Sequence, residues 1–173
     1  NILTSCQYTW YEDEWFATLR WTNEYDSNGR IITQTYEHRP TGAEAWAKGT
    51  RIEWAYDEDG NMVKHLFTRW DEKSGKYVPA TGNYYSFDEN GNMLTSEQRQ
   101  GDKKVFLITY EYDQNGNQIK YKDDRWIDEA WGNYLLIDYT YDDQNREKER
   151  ISKLWNGTQQ DGEWKLDRRQ TWM

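Results

Sequence analysis

Apolar and polar residues alternate along much of the chain with a period of two, the pattern of antiparallel strands that bury one face. Reading back from Asp113, alternate positions hold Tyr112, Tyr110, Ile108 and Phe106, and those between hold Glu111, Thr109 and Leu107. The same series runs Tyr141, Tyr139, Ile137, Leu135 against Thr140, Asp138, Leu136. It recurs as Tyr56, Trp54, Ile52, Thr50 against Ala55, Glu53, Arg51. One face is aromatic and aliphatic and the other mostly polar. No stretch sustains a helical period with caps, so the elements predicted are strands and turns.

The strands are punctuated by a recurring turn. Its copies are Tyr25-Asp26-Ser27-Asn28-Gly29, Tyr56-Asp57-Glu58-Asp59-Gly60, Phe87-Asp88-Glu89-Asn90-Gly91, Tyr112-Asp113-Gln114-Asn115-Gly116 and Tyr141-Asp142-Asp143-Gln144-Asn145. The Asp residues lie 31, 31, 25 and 29 positions apart, a period that marks a repeat architecture. Asp can accept hydrogen bonds from the turn's own N–H groups, and a left-handed Gly after a type I turn closes a hairpin with a G1 bulge. Asn145 replaces that Gly in the fifth copy, and Asn tolerates the left-handed region best among other residues. A calcium loop is the rival reading of Asp57-Glu58-Asp59-Gly60-Asn61, but Gly stands fourth and no fixed distal Glu follows. Past the bulged turn, Ile31, Met62 and Met93 should pair with Tyr25, Tyr56 and Phe87. A weaker apolar row, Ile32, Val63, Leu94 and Ile119, falls on the polar face.

A second turn is visible from these marks. Eleven residues before the turn Asp stand Trp15, Trp46, Tyr77, Asp102 and Trp131, and thirteen after it stand Arg39, Trp70, Gly101, Trp126 and Trp155. Length varies between the two marks, as loops allow and strands do not. Trp10 and Trp15 flank such a turn near the start, and Trp155 and Trp164 another near the end. The spacing places a further turn Asp near position 175, as in a longer array or a final strand at a sheet edge.

The expected fold is therefore all-β: an antiparallel meander of about six two-stranded hairpin repeats, about eleven or twelve strands, in one domain over residues 1–173. The turn motifs lie at 25–29, 56–60, 87–91, 112–116 and 141–145. With nothing helical to cover the aromatic face, the sheet is expected to curl into a barrel or flattened roll with an aromatic interior.

Composition sharpens this picture. Leu, Ile, Val and Phe are only 25 of 173 residues, which at a net charge of −9 resembles a disordered chain. Eleven Trp and fourteen Tyr point the other way, since each buried aromatic removes roughly 150–250 Å² from water. A pI near 4.8 with scattered Lys and Arg argues against nucleic acid as a partner. No segment reads as a signal peptide or membrane span. The single Cys6 cannot form an internal disulfide.

Catalytic chemistry is not legible. His38 and His65 have no triad spacing, and His65 reads as an exposed polar-face residue. No phosphate loop, zinc spacing or cofactor motif appears, so no cofactor and no metal site is expected. The 31 acidic residues select no glycosidase pair. The candidate binding residues are the aromatics beside the variable turns: Trp10, Trp15, Trp70, Tyr77, Trp126, Trp131, Trp155 and Trp164. Flat rings with a polar edge suit sugars and protein partners alike. The stronger reading of the same residues is as packing devices at hairpin ends, on the face of the core rows.

The Tyr-Asp-x-Asn-Gly-Asn punctuation at residues 112–117, and nearly so at 56–61 and 87–92, resembles the YD repeats of RHS-type bacterial surface and toxin-shell proteins. It also looks like the uncharacterised secreted Trp/Tyr-rich repeat proteins of Gram-negative gut bacteria. The resemblance implies a bacterial extracytoplasmic β protein (secreted, periplasmic or at the cell surface), in some members with carbohydrate binding. The unit here is longer than the usual YD unit, and the array is too short to enclose a toxin. The function expected is a non-catalytic binding or structural module, with a glycan, cell wall or surface protein as partner. A structural or protein-interaction segment of a larger array is the alternative, and a glycoside-active enzyme a weaker one.

Overall fold

The computed structural model describes residues 1–159 and 161–172. It holds β1 (Ile2–Tyr11), β2 (Glu14–Tyr25), β3 (Ile31–His38), β4 (Ala47–Tyr56), β5 (Met62–Asp71), β6 (Lys76–Phe87), β7 (Met93–Gln100), β8 (Lys103–Tyr112), β9 (Gln118–Ile127), β10 (Ala130–Tyr141), β11 (Glu147–Gly157) and β12 (Gly162–Thr171). All twelve strands belong to one antiparallel sheet whose strand order follows chain order. β1 and β12 end that order, so the sheet is not closed into a barrel, contrary to the closure expected from the sequence. No aromatic among the described residues is buried, and the one buried hydrophobic residue is Leu66, 8% exposed. The aromatics gain partial shelter sideways instead, from cross-strand neighbours on their own face.

The chain divides into two compact units, Asn1–Asn83 with Gln100–Asp102, and Tyr84–Arg99 with Lys103–Met173. The recurring turn has the expected geometry. Asp57 N–H donates to Asn61 C=O at 3.0 Å and Gly60 N–H to Asp57 C=O at 3.2 Å, with Gly60 at φ 93°. Asn145 occupies the same left-handed position at φ 59°. Tyr25 pairs with Ile31 and Tyr56 with Met62 as the turn predicts. In the same ladders Ile32 and Val63 are skipped, as is Ile119 between β8 and β9. Three members of the weaker apolar row are thus bulge residues.

A second bulge was not legible. It skips Thr18 in β2, Gly49 in β4, Tyr134 in β10 and Asp167 in β12. The first three stand eight residues before their turn Asp, and the side chains share no chemistry. An extra residue reverses which side chains face which side of the sheet.

The front face is defined in each unit as the one carrying the aromatic series. In the first unit it holds Trp21 against Tyr36, Trp54 against His65 and Ile52 against Phe67. In the second it holds Tyr110 against Tyr121, Ile137 against Tyr121, and Leu135 against Leu154. His65 stacks on Trp54 at 5.5 Å and 18°, so it is a half-buried front-face residue and not an exposed polar-face one. The bulge at Val63 moves it there. The back face is a mesh of ion pairs, among them Lys64–Glu53 at 3.2 Å in the first unit and Lys120–Glu111 at 2.8 Å in the second.

Candidate functional site

The eight aromatics singled out by spacing form four edge-to-face pairs across the variable turns. Trp10 meets Trp15 at 5.3 Å and 68°, and Trp70 meets Tyr77 at 5.2 Å and 69°. Trp126 meets Trp131 at 4.9 Å and 76°, and Trp155 meets Trp164 at 5.2 Å and 73°. Directly opposed aromatics at the end of a hairpin clasp its two strands together.

These pairs lie on the back face, not on the face of the core rows. Leu19 and Trp21 point forward, but skipping Thr18 turns Ala17 and Trp15 backward, opposite Tyr8 and Trp10. Trp131 is reversed from Leu135 in the same way by Tyr134. On β5 and β11, Trp70 and Trp155 fall one residue beyond front-facing Arg69 and Leu154.

Cations cover several of these rings. Lys48 Nζ lies 3.8 Å from the centroid of Trp70, and Arg51 lies 5.8 Å from that of Tyr77. Trp46 has Arg20 at 4.6 Å and Arg39 at 5.0 Å. Lys104 Nζ is 4.5 Å from Trp126 and 5.5 Å from Trp131. Each contact is worth roughly 0.5–1 kcal/mol at exposed sites. The sequence held a signal for two of them, since Lys48 and Lys104 both stand nine residues before a turn Asp. Trp155 is committed to its own turn: its Nε1–H donates to Thr158 C=O at 2.9 Å, and its ring covers Gly162. Trp10 and Trp15 are the open pair, 54% and 66% exposed, with no cation over either ring among the described residues. Burial raises the Tyr77 phenol above its ordinary range, and the Glu37 charge adds to that.

The signature residues have separate tasks. Tyr56, Tyr112 and Tyr141 donate their hydroxyls to the carbonyls of Ile31 at 3.1 Å, Met93 at 3.0 Å and Gln118 at 2.8 Å. Each acceptor lies just past the preceding turn, so the Tyr ties its own turn to the one before it. The Asp organises its own turn: Asp113 Oδ1 accepts from Asn115 and Asn117 N–H, and Oδ2 from Asn117 Nδ2, all at 2.9 Å. Arg30 and Arg146 replace that Asn side chain in the first and last copies. These carboxylate oxygens are engaged by N–H donors, which leaves the hairpin reading of the motif ahead of the calcium one. The donors hold the carboxyls of Asp88 and Asp113 below the ordinary range, the side chains of Asn92 and Asn117 contributing most.

One feature of the second unit has no counterpart in the sequence pattern. Asp123 is 5% exposed on the front face between Ile108 and Leu135, with Arg125 at 2.6 Å from Oδ2. Burial raises its carboxyl, and the Arg125 charge pulls it back. Arg125 in turn lies over Phe106 at 5.3 Å and Tyr134 at 4.6 Å. The arrangement is a paired carboxylate and guanidinium in an apolar row.

No protein-family model matches the chain, and no curated protein matches it. Among solved structures it is similar to a DUF3836 family protein from Bacteroides vulgatus, at 10% identity and TM-score 0.36, covering 58% of this chain and 88% of that one. A DUF3836 family protein from Parabacteroides distasonis matches at 18% identity and TM-score 0.32, over 68% of this chain and 80% of that one. The TcdB2-TccC3 structure matches at 14% identity and TM-score 0.26, over 85% of this chain and 10% of that one. All three scores lie below 0.5, too low to assign a function. Among the described residues no helix is long and apolar enough to cross a membrane.

Proposed function

We propose that this chain is a non-catalytic, extracytoplasmic bacterial repeat module with a binding or structural role. Its twelve strands are read as six hairpin repeats, and glycan or cell-wall material is the sharper ligand class. The observation that carries the binding reading is the Trp10/Trp15 pair, set edge-to-face across its turn while both rings stay more than half exposed. A ring that packs against its neighbour on one side and is open on the other can stack on a sugar at a reduced cost in side-chain entropy. The Trp70/Tyr77 and Trp126/Trp131 pairs, covered by lysines, serve the scaffold first.

Titration of Trp fluorescence with soluble glycans and cell-wall fragments tests this. Saturable quenching that Trp10→Ala/Trp15→Ala removes, with far-UV circular dichroism unchanged, supports it. Quenching that survives that double variant, or none with any glycan, sinks it.

The Tyr latches favour a second reading, a structural or protein-interaction segment of a larger array. A hydroxyl that bonds the preceding repeat propagates a sheet rather than completing a site. Further copies of the Tyr-Asp turn flanking residues 1–173 in the complete gene would favour it, and their absence would count against it.

A further inference from the structure

The front face of the second unit is apolar and half-exposed. Across β8 to β11 it presents Ile108, Tyr110, Tyr121, Leu135, Ile137 and Tyr139, all half-buried by neighbours in the plane of the sheet. Its charged groups cancel locally. Asp123 is paired with Arg125, and Arg150 makes a two-pronged contact with Glu147 at 3.0 Å on each side. On β12, Lys165 and Arg168 face forward beside Leu154 and Ser152 and form a charged rim.

The back face of the same unit is built for water. Lys120–Glu111 at 2.8 Å, Lys122–Asp124 at 2.9 Å, Lys153–Asp138 at 2.6 Å and Arg169–Glu149 at 2.5 Å cover its middle. Half-exposed ion pairs tolerate solvent, whereas an aromatic row with internally cancelled charge gains free energy when solvent leaves it.

We propose that this front face is covered by the same face of a second copy of the chain. Strands of about ten residues rise about 34 Å, and the four strands β8 to β11 at about 4.8 Å spacing span about 19 Å, giving an apolar footprint of about 650 Å². That lies within the roughly 600–1,000 Å² per partner of a standard stable interface, and the β12 edge adds to it. An isologous contact sets one copy's patch against the other's, and on β8 to β11, where Asp123–Arg125 and Glu147–Arg150 are paired, the face meets itself without uncompensated repulsion. Two such sheets stack about 10 Å apart with interdigitating side chains. The charged β12 strand then flanks the apolar centre along one edge, as polar rim residues do in interfaces.

Sedimentation velocity of the full chain over a concentration series is the test. The expected result is a species of twice the 21.0 kDa chain mass that dissociates on dilution. Ile137→Lys, at the centre of the face, should abolish that species, while Ile151→Lys on the back face should leave it. Hydroxyl-radical footprinting of the unaltered protein guards against a variant that misfolds. Tyr110, Tyr121 and Tyr139 should become protected in parallel with the mass change, and Trp155 and Trp164 should not. A monomer at every concentration overturns the proposal. So does a dimer whose protection falls on Tyr8 and Trp10 of β1 or on the back-face tryptophans.

Discussion

Replacing Tyr141 by Phe removes one oxygen and keeps the ring, which isolates the latch from the aromatic row. The hydroxyl lies 2.8 Å from the Gln118 carbonyl, the shortest of the three latches, and Tyr141 is half-buried. A net loss of about 0.5–1.5 kcal/mol is expected for one neutral hydrogen bond exchanged with water. For a chain of this length that corresponds to a fall in Tm of about 2–4 °C per kcal/mol. The bond joins the end of β10 to the start of β9, so amide exchange should quicken around Gln118–Lys120 before it does within the Asp142 turn. Tyr8→Phe is the control, since Tyr8 is 57% exposed on β1 and should shift stability by less than about 0.5 kcal/mol. Urea midpoints at unchanged slope give the comparison. If Tyr141→Phe is indistinguishable from Tyr8→Phe in midpoint and in local exchange, the latch contributes nothing and the role assigned to the signature Tyr is wrong.

Other outcomes follow from the same geometry. Gly49→Ala should destabilise by about 1–3 kcal/mol in thermal melts, because its Cβ would lie 2.8 Å from the Tyr36 ring and 3.0 Å from the Tyr36 carbonyl, and the strand cannot yield. Glu129→Gly should stabilise by about 0.5–1 kcal/mol, since Glu129 sits at φ 65° in a two-residue turn. A melting temperature that falls would refute that. The five turn carboxyls are all held below 3.8, so their stabilisation is complete above that value and is lost as pH falls through the depressed values. Carbon-13 titration of Asp113 should show its pKa move up toward 3.8 in Asn117→Ala, and no movement would show that Asn117 is not the donor that matters.

Much of the scaffold was legible in the sequence because its turns are made by local chemistry. An Asp that accepts its own loop's N–H groups, and a Gly or Asn in the left-handed region, act within five residues, so residue type suffices. Period-two alternation then placed Tyr110, Ile108, Tyr139 and Ile137 on one face, and counting from fixed marks found the four aromatic pairs. The second bulge escaped because Thr18, Gly49, Tyr134 and Asp167 share no side-chain property. Its effect was large, since one extra residue reversed Trp15 and Trp131 to the back face.

The sequence by itself determined the strands, the turn type, the pairings of Tyr25 with Ile31 and Tyr56 with Met62, and the partners within each aromatic clasp. Only the tertiary structure decided which face the clasps occupy, which cations lie on them, and that the sheet stays open. The physical reason is range. A turn is settled by a few neighbouring atoms, whereas facing and closure depend on the summed register of many strands, and a single skipped residue changes that sum without a mark in composition.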